Sequence, residues 1–172
     1  MGALHLIPGP RSKHVTATDI HMMRRALALA DEAARNDEVP VGAVVYRGEE
    51  IIAEAANNRE SQHDPVGHAE LIAIRQAGIA LGKWRLNDCS LAVTLEPCPM
   101  CAGALVNARV GRLIYGTTDP KAGACETLYR ITSDHRLNHE VEVVGGVLAG
   151  PCRDQLRSFF RRRREENKRR QR

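Results

Sequence analysis

Leu91-Ala92-Val93-Thr94-Leu95-Glu96-Pro97-Cys98-Pro99-Met100-Cys101-Ala102-Gly103-Ala104 decides how the rest of the chain is read. The near-continuous apolar run at its start reads as a buried strand. Residues 97–101 read as a helix start, because proline is tolerated in a first turn whose N–H groups have no intrahelical acceptor to lose. Cys98 and Cys101 stand three residues apart and so share a helix face. Backbone N–H groups and the helix dipole favour negative charge there, and the thiolate is the form that binds metal.

His68 can supply a third ligand. Three ligands of the Cys/Cys/His type leave one tetrahedral position of zinc open, and an open position is the mark of a catalytic site. Glu70, two residues from His68, can reach that position without being a ligand. A Cys-x-x-Cys is also compatible with half of a structural zinc knuckle or with a redox pair. A structural site needs a fourth ligand from Cys89, Cys125, Cys152 or another histidine. None of these forms a second Cys-x-x-Cys or a His-x(3–5)-His pair. A redox pair leaves His68 and Glu70 without a part.

Towards the N-terminus, Met22, Met23, Ala26, Leu27, Ala30 and Ala33 recur at helical spacing. They predict a first helix capped by Thr18 and running to about Arg35, its methionines in the core. Val39 to Tyr46 and Ile51 to Ala55 read as a hairpin across Arg47-Gly48-Glu49. Asn57 to Gly67 is a polar loop. A second helix runs from near His68 to about Leu81, and Trp84 after it is expected to pack. The helix after Cys98 ends near Arg109. Arg112-Leu113-Ile114-Tyr115-Gly116 is a fourth strand, with a loop over 117–124 behind it, and Glu126 to Arg130 reads as a short helix. Val141 to Val144 is a fifth strand, separated from the fourth by a connection long enough for parallel pairing. Pro151 opens a last helix with Leu156, Phe159 and Phe160 as its apolar side. The order α-β-β-α-β-α-β-(α)-β-α predicts an α/β fold, a three-layer α/β/α sandwich with a five-stranded mixed sheet.

Composition fits one domain: 172 residues, 43% hydrophobic and 27% charged, with only 3% aromatic, so the core should be aliphatic. The division expected is a flexible N-terminal extension over 1–17, a catalytic domain over 18–164 and a basic C-terminal tail over 165–172. No run reaches the length of a membrane span. With five cysteines, two of them assigned to metal, the expected setting is the reducing cytoplasm rather than a disulfide framework. The net charge of +4 is unevenly placed. Residues 153–172 hold ten Lys/Arg against three Asp/Glu, while the rest of the chain is slightly acidic. A cationic end beside a catalytic site suits a polyanionic substrate.

His68-Ala69-Glu70 with Pro97-Cys98-Pro99-Met100-Cys101 resembles the signature of the zinc-dependent cytidine deaminase superfamily. Val39 to Val44, Asn57-Asn58, His63-Asp64-Pro65, Leu95-Glu96-Pro97, Ala102-Gly103-Ala104, Asp119 to Ala124 and Asn138-His139 are similar to the bacterial branch that deaminates adenosine in tRNA. The likeness runs from about Asp19 to Arg164. It implies one Zn2+ per subunit on His68, Cys98 and Cys101, with Glu70 as the catalytic acid and base. It further implies substrate contacts from Asn57, Ala69, Asp119, Lys121, Phe159 and Arg162. The implied reaction turns adenosine into inosine at the wobble position of a tRNA, most simply an arginine tRNA. The anticodon stem-loop is the partner, and a homodimer the assembly. Glu70 would take a proton from the attacking water and pass it to the ring nitrogen, then protonate the amine so that ammonia leaves, one carboxylate serving as base and then as acid. Deamination of free guanine or cytosine by the same motif is the alternative reaction. A non-enzymatic, zinc-stabilised RNA-binding module is the alternative of another class, and it calls for a fourth protein ligand.

Overall fold

The structure is a computed structural model that describes residues 14–171; most of the expected N-terminal extension lies outside these. Four helices flank one sheet: α1 (Ala17–Arg35), β1 (Gly42–Arg47), β2 (Glu50–Ala56), α2 (Ala69–Leu81), β3 (Ser90–Leu95), α3 (Pro99–Asn107), β4 (Arg112–Thr117), β5 (Glu142–Val144) and α4 (Ala149–Arg170). The strands lie in the order β2-β1-β3-β4-β5. β1 is antiparallel to β2 and β3, whereas β3–β4 and β4–β5 are parallel. The sheet is therefore mixed and five-stranded, as the element order predicts, and the long connection into β5 does return parallel. Among the described residues no helix is long and apolar enough to cross a membrane.

Strand alternation divides the core. Val45, Leu91 and Leu113 face one cluster with Ala69, Ala73 and Leu105 of α2 and α3. Their neighbours Val44, Ala92 and Ile114 face the other, with Met22, Met23 and Ala26 of α1 and Cys152 of α4. Side chains on successive strand residues point to opposite faces, so each strand serves both layers. The core is aliphatic and the α1 methionines are inside it.

Several local expectations are corrected. The cap of α1 is Thr16, not Thr18: its hydroxyl accepts from the Asp19 N–H (3.1 Å) and the Asp19 carboxylate accepts from the Thr16 N–H (2.8 Å). This reciprocal box needs the acid three residues after the cap, which Asp19 supplies only for Thr16. No helix forms over 126–130, because the N–H groups of Leu128 and Tyr129 both turn back to the Gly123 carbonyl and that of Ile131 to Ala124, spans wider than a helical bond; a single 3-10 turn at Ile131–Ser133 stands nearby. Phe160 is 44% exposed while Phe159 is 6% exposed, since adjacent residues on a helix cannot share its buried side. Trp84 does not pack inward: it is 60% exposed, with the Arg85 guanidinium 4.6 Å above its ring. The last helix begins two residues before Pro151 and continues to Arg170, so most of the basic tail is helical.

Asp19 also ties α1 to the sheet. Its buried carboxylate accepts from the Tyr46 hydroxyl (2.6 Å) and from Arg112 (2.6 Å). Burial alone would raise its pKa, but Arg112, Tyr46 and the Thr16 N–H outweigh burial and hold it below the ordinary value. Removing one partner of such a pair strands the other charge. Asp19→Asn is thus expected to cost about 3–5 kcal/mol in a denaturant titration. The lowered value sets the sign with pH. Asp19's contribution is full above the unfolded carboxyl pKa of about 4 and is lost as pH falls through the folded value. The difference between wild type and Asp19→Asn should therefore narrow in acid.

Candidate metal centre and active-site pocket

α2 and α3 lie on one face of the sheet and begin at the same end of it. His68 is the N-cap of α2 and Cys98 the N-cap of α3, each with extended backbone and neither with a capping hydrogen bond from its side chain. Cap positions usually spend their side chains on the helix's own N–H groups. Here the side chains turn away to meet one another. Pro99 occupies the first position of α3, and Cys101 is buried in its first turn. The topology thus joins residues thirty apart in sequence at two adjacent helix starts.

His68 Nδ1 stands 3.7 Å from Cys98 Sγ and 3.4 Å from Cys101 Sγ. Tetrahedral zinc with ordinary Zn–S and Zn–N bond lengths sets such N···S separations at roughly 3.6 Å, which these two distances bracket. All three ligand atoms lie within 4.8 Å of one another, and they form the one such group among the described residues. No further cysteine joins them there. Cys89, Cys125 and Cys152 are buried elsewhere, and burial pushes their thiols up to about 11, 12 and 12.

The electrostatics of the group suit a cation. A hydrogen bond from Cys101, with a further one from His68, lowers the Cys98 thiol to about 4. The Cys101 thiol moves the opposite way, because it donates to Cys98 and is buried beside Glu70. Bound to both sulfurs, a dication would hold each as a thiolate. The hydrogen bond to Cys98 and the charge of Glu70 raise His68 against its burial. Glu70, in the first turn of α2, is 4% exposed, and burial raises its carboxyl. A carboxylate kept dry next to the metal position is equipped to take a proton and give it back.

The pocket in front of the group has a volume of about 220 Å³ and is lined by Asn57, His68, Glu70, Leu95, Cys98 and Asp119, among others. That is smaller than the roughly 300–1,000 Å³ of drug-sized sites, and suits a base better than a whole nucleotide. Asn57 is 8% exposed and its amide donates to Glu38 (3.4 Å). Asp119 lines the pocket while its Oδ1 also accepts from the N–H groups of Lys121 (2.9 Å) and Ala122 (3.2 Å), so a binding part and a turn part coexist in it. The side chain of Ala69 is fully buried. As the first residue of α2 it can offer only a backbone N–H without a helical acceptor.

The other expected contacts are not brought into this pocket. Lys121 is exposed outside it. Phe159 lies within α4, edge-on to Phe160. Arg162 sits 5.5 Å over the Phe159 ring and donates to Ala34 O (3.0 Å) and Asp37 (3.4 Å) at the end of α1.

Sequence reasoning misses two carboxylates beside the pocket. Glu38, 1% exposed, accepts from the N–H groups of Ser61 (2.7 Å) and Glu60 (3.1 Å) and so pins the loop after β2. Glu96, equally buried, pins the loop after β4. Its burial would raise the pKa, but the Thr127 hydroxyl and the N–H groups of Glu126, Thr127 and Asp119 hold it below the ordinary range. The sequence signals are position, each acid being the last residue before an apolar–proline or proline–cysteine step into the site, and for Glu96 its place in the family-like stretch Leu95-Glu96-Pro97, which assigns it no part.

Residues 17–164 match the family model described as MafB19-like deaminase. The chain is 47% identical over 146 residues to the tRNA-specific adenosine deaminase of Bacillus subtilis (strain 168), covering 85% of this chain and 91% of that protein. It is 46% identical over 151 residues to the tRNA-specific adenosine deaminase of Haemophilus influenzae, covering 87% of each. Among solved structures it resembles one from a study of A-to-I editing by tRNA:A34 deaminases at the wobble position of transfer RNA. That likeness has a TM-score of 0.76 and 42% identity, over 79% of this chain and 99% of that one.

Proposed function

Since the chain belongs to the MafB19-like deaminase family, we propose that it hydrolyses the 6-amino group of adenosine in tRNA, yielding inosine and ammonia. One observation carries this reading: His68, Cys98 and Cys101 converge within 4.8 Å beside a buried glutamate, at the base of a pocket sized for a nucleobase. The finer reading is that zinc occupies the His/Cys/Cys group and that the target is the wobble adenosine of an arginine tRNA. Inosine formation on anticodon stem-loop RNA, set against ammonia release from free guanine, cytosine and adenosine, tests it. Activity on free bases alone would overturn it.

When bound, zinc lowers the pKa of a coordinated water towards ~7. The protein's own residues do the rest. Glu70 accepts one proton from the attacking water and delivers it to the ring nitrogen, then takes the second proton from the hydroxyl added at C6 and gives it to the departing amine, so that the C6–N bond breaks and ammonia leaves. Asn57 is placed to hydrogen-bond the base. The Ala69 N–H, at the start of α2 between the lining residues His68 and Glu70, serves as a second donor. Leu95 and the walls of the small pocket exclude bulk solvent. The base must leave its stack to enter, and an anticodon loop presents bases already unpaired.

The body of α4 runs along α1, with Gln155 bonded to Asp31 and Arg162 to Ala34 and Asp37. Arg153, Arg157, Arg161, Arg164 and Lys168 recur at helical spacing on its exposed side. Such a stripe fits a phosphate backbone. Phe159 and Arg162 then serve by holding the helix in place, with the exposed Phe160 and the stripe meeting RNA. The paired substitution Arg161→Glu/Arg164→Glu should weaken stem-loop binding and reduce the slope of log K against log salt by about 2. Filter binding at several salt concentrations measures it, and an unchanged slope would sink the assignment.

A homodimer accounts for the apolar face where Ile79 is 72% and Trp84 60% exposed, flanking a cleft with Ile74 and Ala104. Ile79→Asp should shift the sedimentation coefficient of the purified protein to that of a single chain.

A further inference from the structure

Glu96 has no part in the proton transfers above, yet a whole segment is folded around it. It leaves the end of β3 two residues before Cys98 and is 1% exposed. Oε1 accepts from the N–H groups of Glu126 (2.8 Å), Thr127 (2.9 Å) and Cys125 (3.2 Å). Oε2 accepts from the Asp119 N–H (3.2 Å) and from the Thr127 hydroxyl. No lysine or arginine is among these partners. The negative charge is compensated by N–H and O–H dipoles alone, so the segment from 119 to 127 must keep this one conformation to supply them. Gly123 lies so close that a Cβ there would collide with Oε2 and stand 2.6 Å from Asp119 O. The segment is the part of the pocket wall that contributes Asp119 and Ala122.

We propose that Glu96 is a positioning residue: through the N–H groups of 119, 125, 126 and 127 it holds the Asp119–Ala122 wall against the incoming RNA, and so governs substrate binding rather than hydrolysis. This rests on the tRNA reading above. An amide at this position would set an NH2 group against N–H donors on at least one side, so even the isosteric Glu96→Gln releases the segment.

The test uses the full chain loaded with zinc, as Glu96→Gln, Gly123→Ala and Thr127→Val. Thr127→Val removes a single donor and keeps the carboxylate, which preserves a folded probe if the other two fail to accumulate. The readouts are zinc content, kcat and KM on stem-loop RNA, and amide hydrogen exchange. Each variant is expected to keep its zinc and to exchange the amides of 119–127 faster than wild type. KM should rise roughly tenfold in Glu96→Gln and less in Thr127→Val, with kcat nearly unchanged. A fall in kcat at constant KM, loss of zinc, or unchanged exchange over 119–127 would each overturn the proposal. If wild type itself fails to act on stem-loop RNA, the tRNA reading falls, and the exchange arm still decides whether Glu96 orders the segment.

Discussion

Glu70→Gln should deaminate stem-loop RNA about a thousandfold more slowly than wild type while binding the same amount of zinc. The size follows from the work assigned to this carboxylate, since general acid–base catalysis by one positioned group contributes about 10²–10⁴-fold. In the proposed reaction Glu70 serves twice in each turnover, so the effect should not fall at the low end. Glutamine is the informative substitution because Glu70 is 4% exposed. Alanine would leave a void and mix packing loss with proton transfer, whereas glutamine keeps the volume and removes only the exchangeable charge. Neither His68 nor the two cysteines can replace it, because each of them faces the metal position. Single-turnover inosine formation, with zinc measured on the same sample, reads the result. A rate within tenfold of wild type would mean that another group moves the protons.

Removing the metal should abolish deamination and leave the fold standing. The ligands hang from the starts of α2 and α3, but each helix is held by the hydrophobic cluster it shares with the sheet. Zinc fingers unfold without metal because they have little else; here Ala73, Leu105, Val45 and Leu91 are fully buried irrespective of any ion. Cys98→Ala is therefore expected to lose zinc and to fall at least about a thousandfold in activity, with a far-UV circular dichroism spectrum like that of wild type. Cys152→Ala is the matched control, since Cys152 is buried between α4 and α1 and away from the site. It should retain both zinc and activity. Dialysis of wild type against a chelator, and then against zinc, should remove and restore the activity. Full activity in protein shown to be metal-free would defeat the assignment.

What can be read from the chain alone is what depends on local spacing. His68, Cys98 and Cys101 stand out in the sequence as a candidate ligand set because of their residue types and spacing, and the fold does bring them within 4.8 Å of one another, with Glu70 buried beside them. The strands announce themselves by apolar runs whose alternation the two core clusters then explain. What cannot be read depends on partners distant in sequence. Glu38, Glu96 and Asp19 look like surface acids until the fold brings backbone N–H groups, or Arg112, to them. The missing helix at 126–130 has the same origin: a local preference gives way to a wider turn, closed by the N–H groups of Leu128, Tyr129 and Ile131 on Gly123 and Ala124, in the segment folded around Glu96. The hydrophobicity of Trp84 points to the interior, although the end of α2 offers it no interior to enter. Thr16 and Thr18 are equally good caps by residue type, and the choice between them rests on which threonine stands three residues before Asp19.

The two outer strands of the sheet are unlike each other. β5 has three residues, too few to template a further strand, while β2 has seven and only β1 beside it. Along β2 the sequence sets Glu50 and Glu54 among isoleucines and alanines, with Arg47 paired to Glu50 and Arg25 to Glu54. Charges on an exposed edge are the ordinary protection against end-on sheet growth and amyloid-like stacking. The sheet is thereby finished at both borders, one by brevity and the other by solvated ion pairs, Glu54 with Arg25 and Glu50 with Arg47, that a further strand would have to bury.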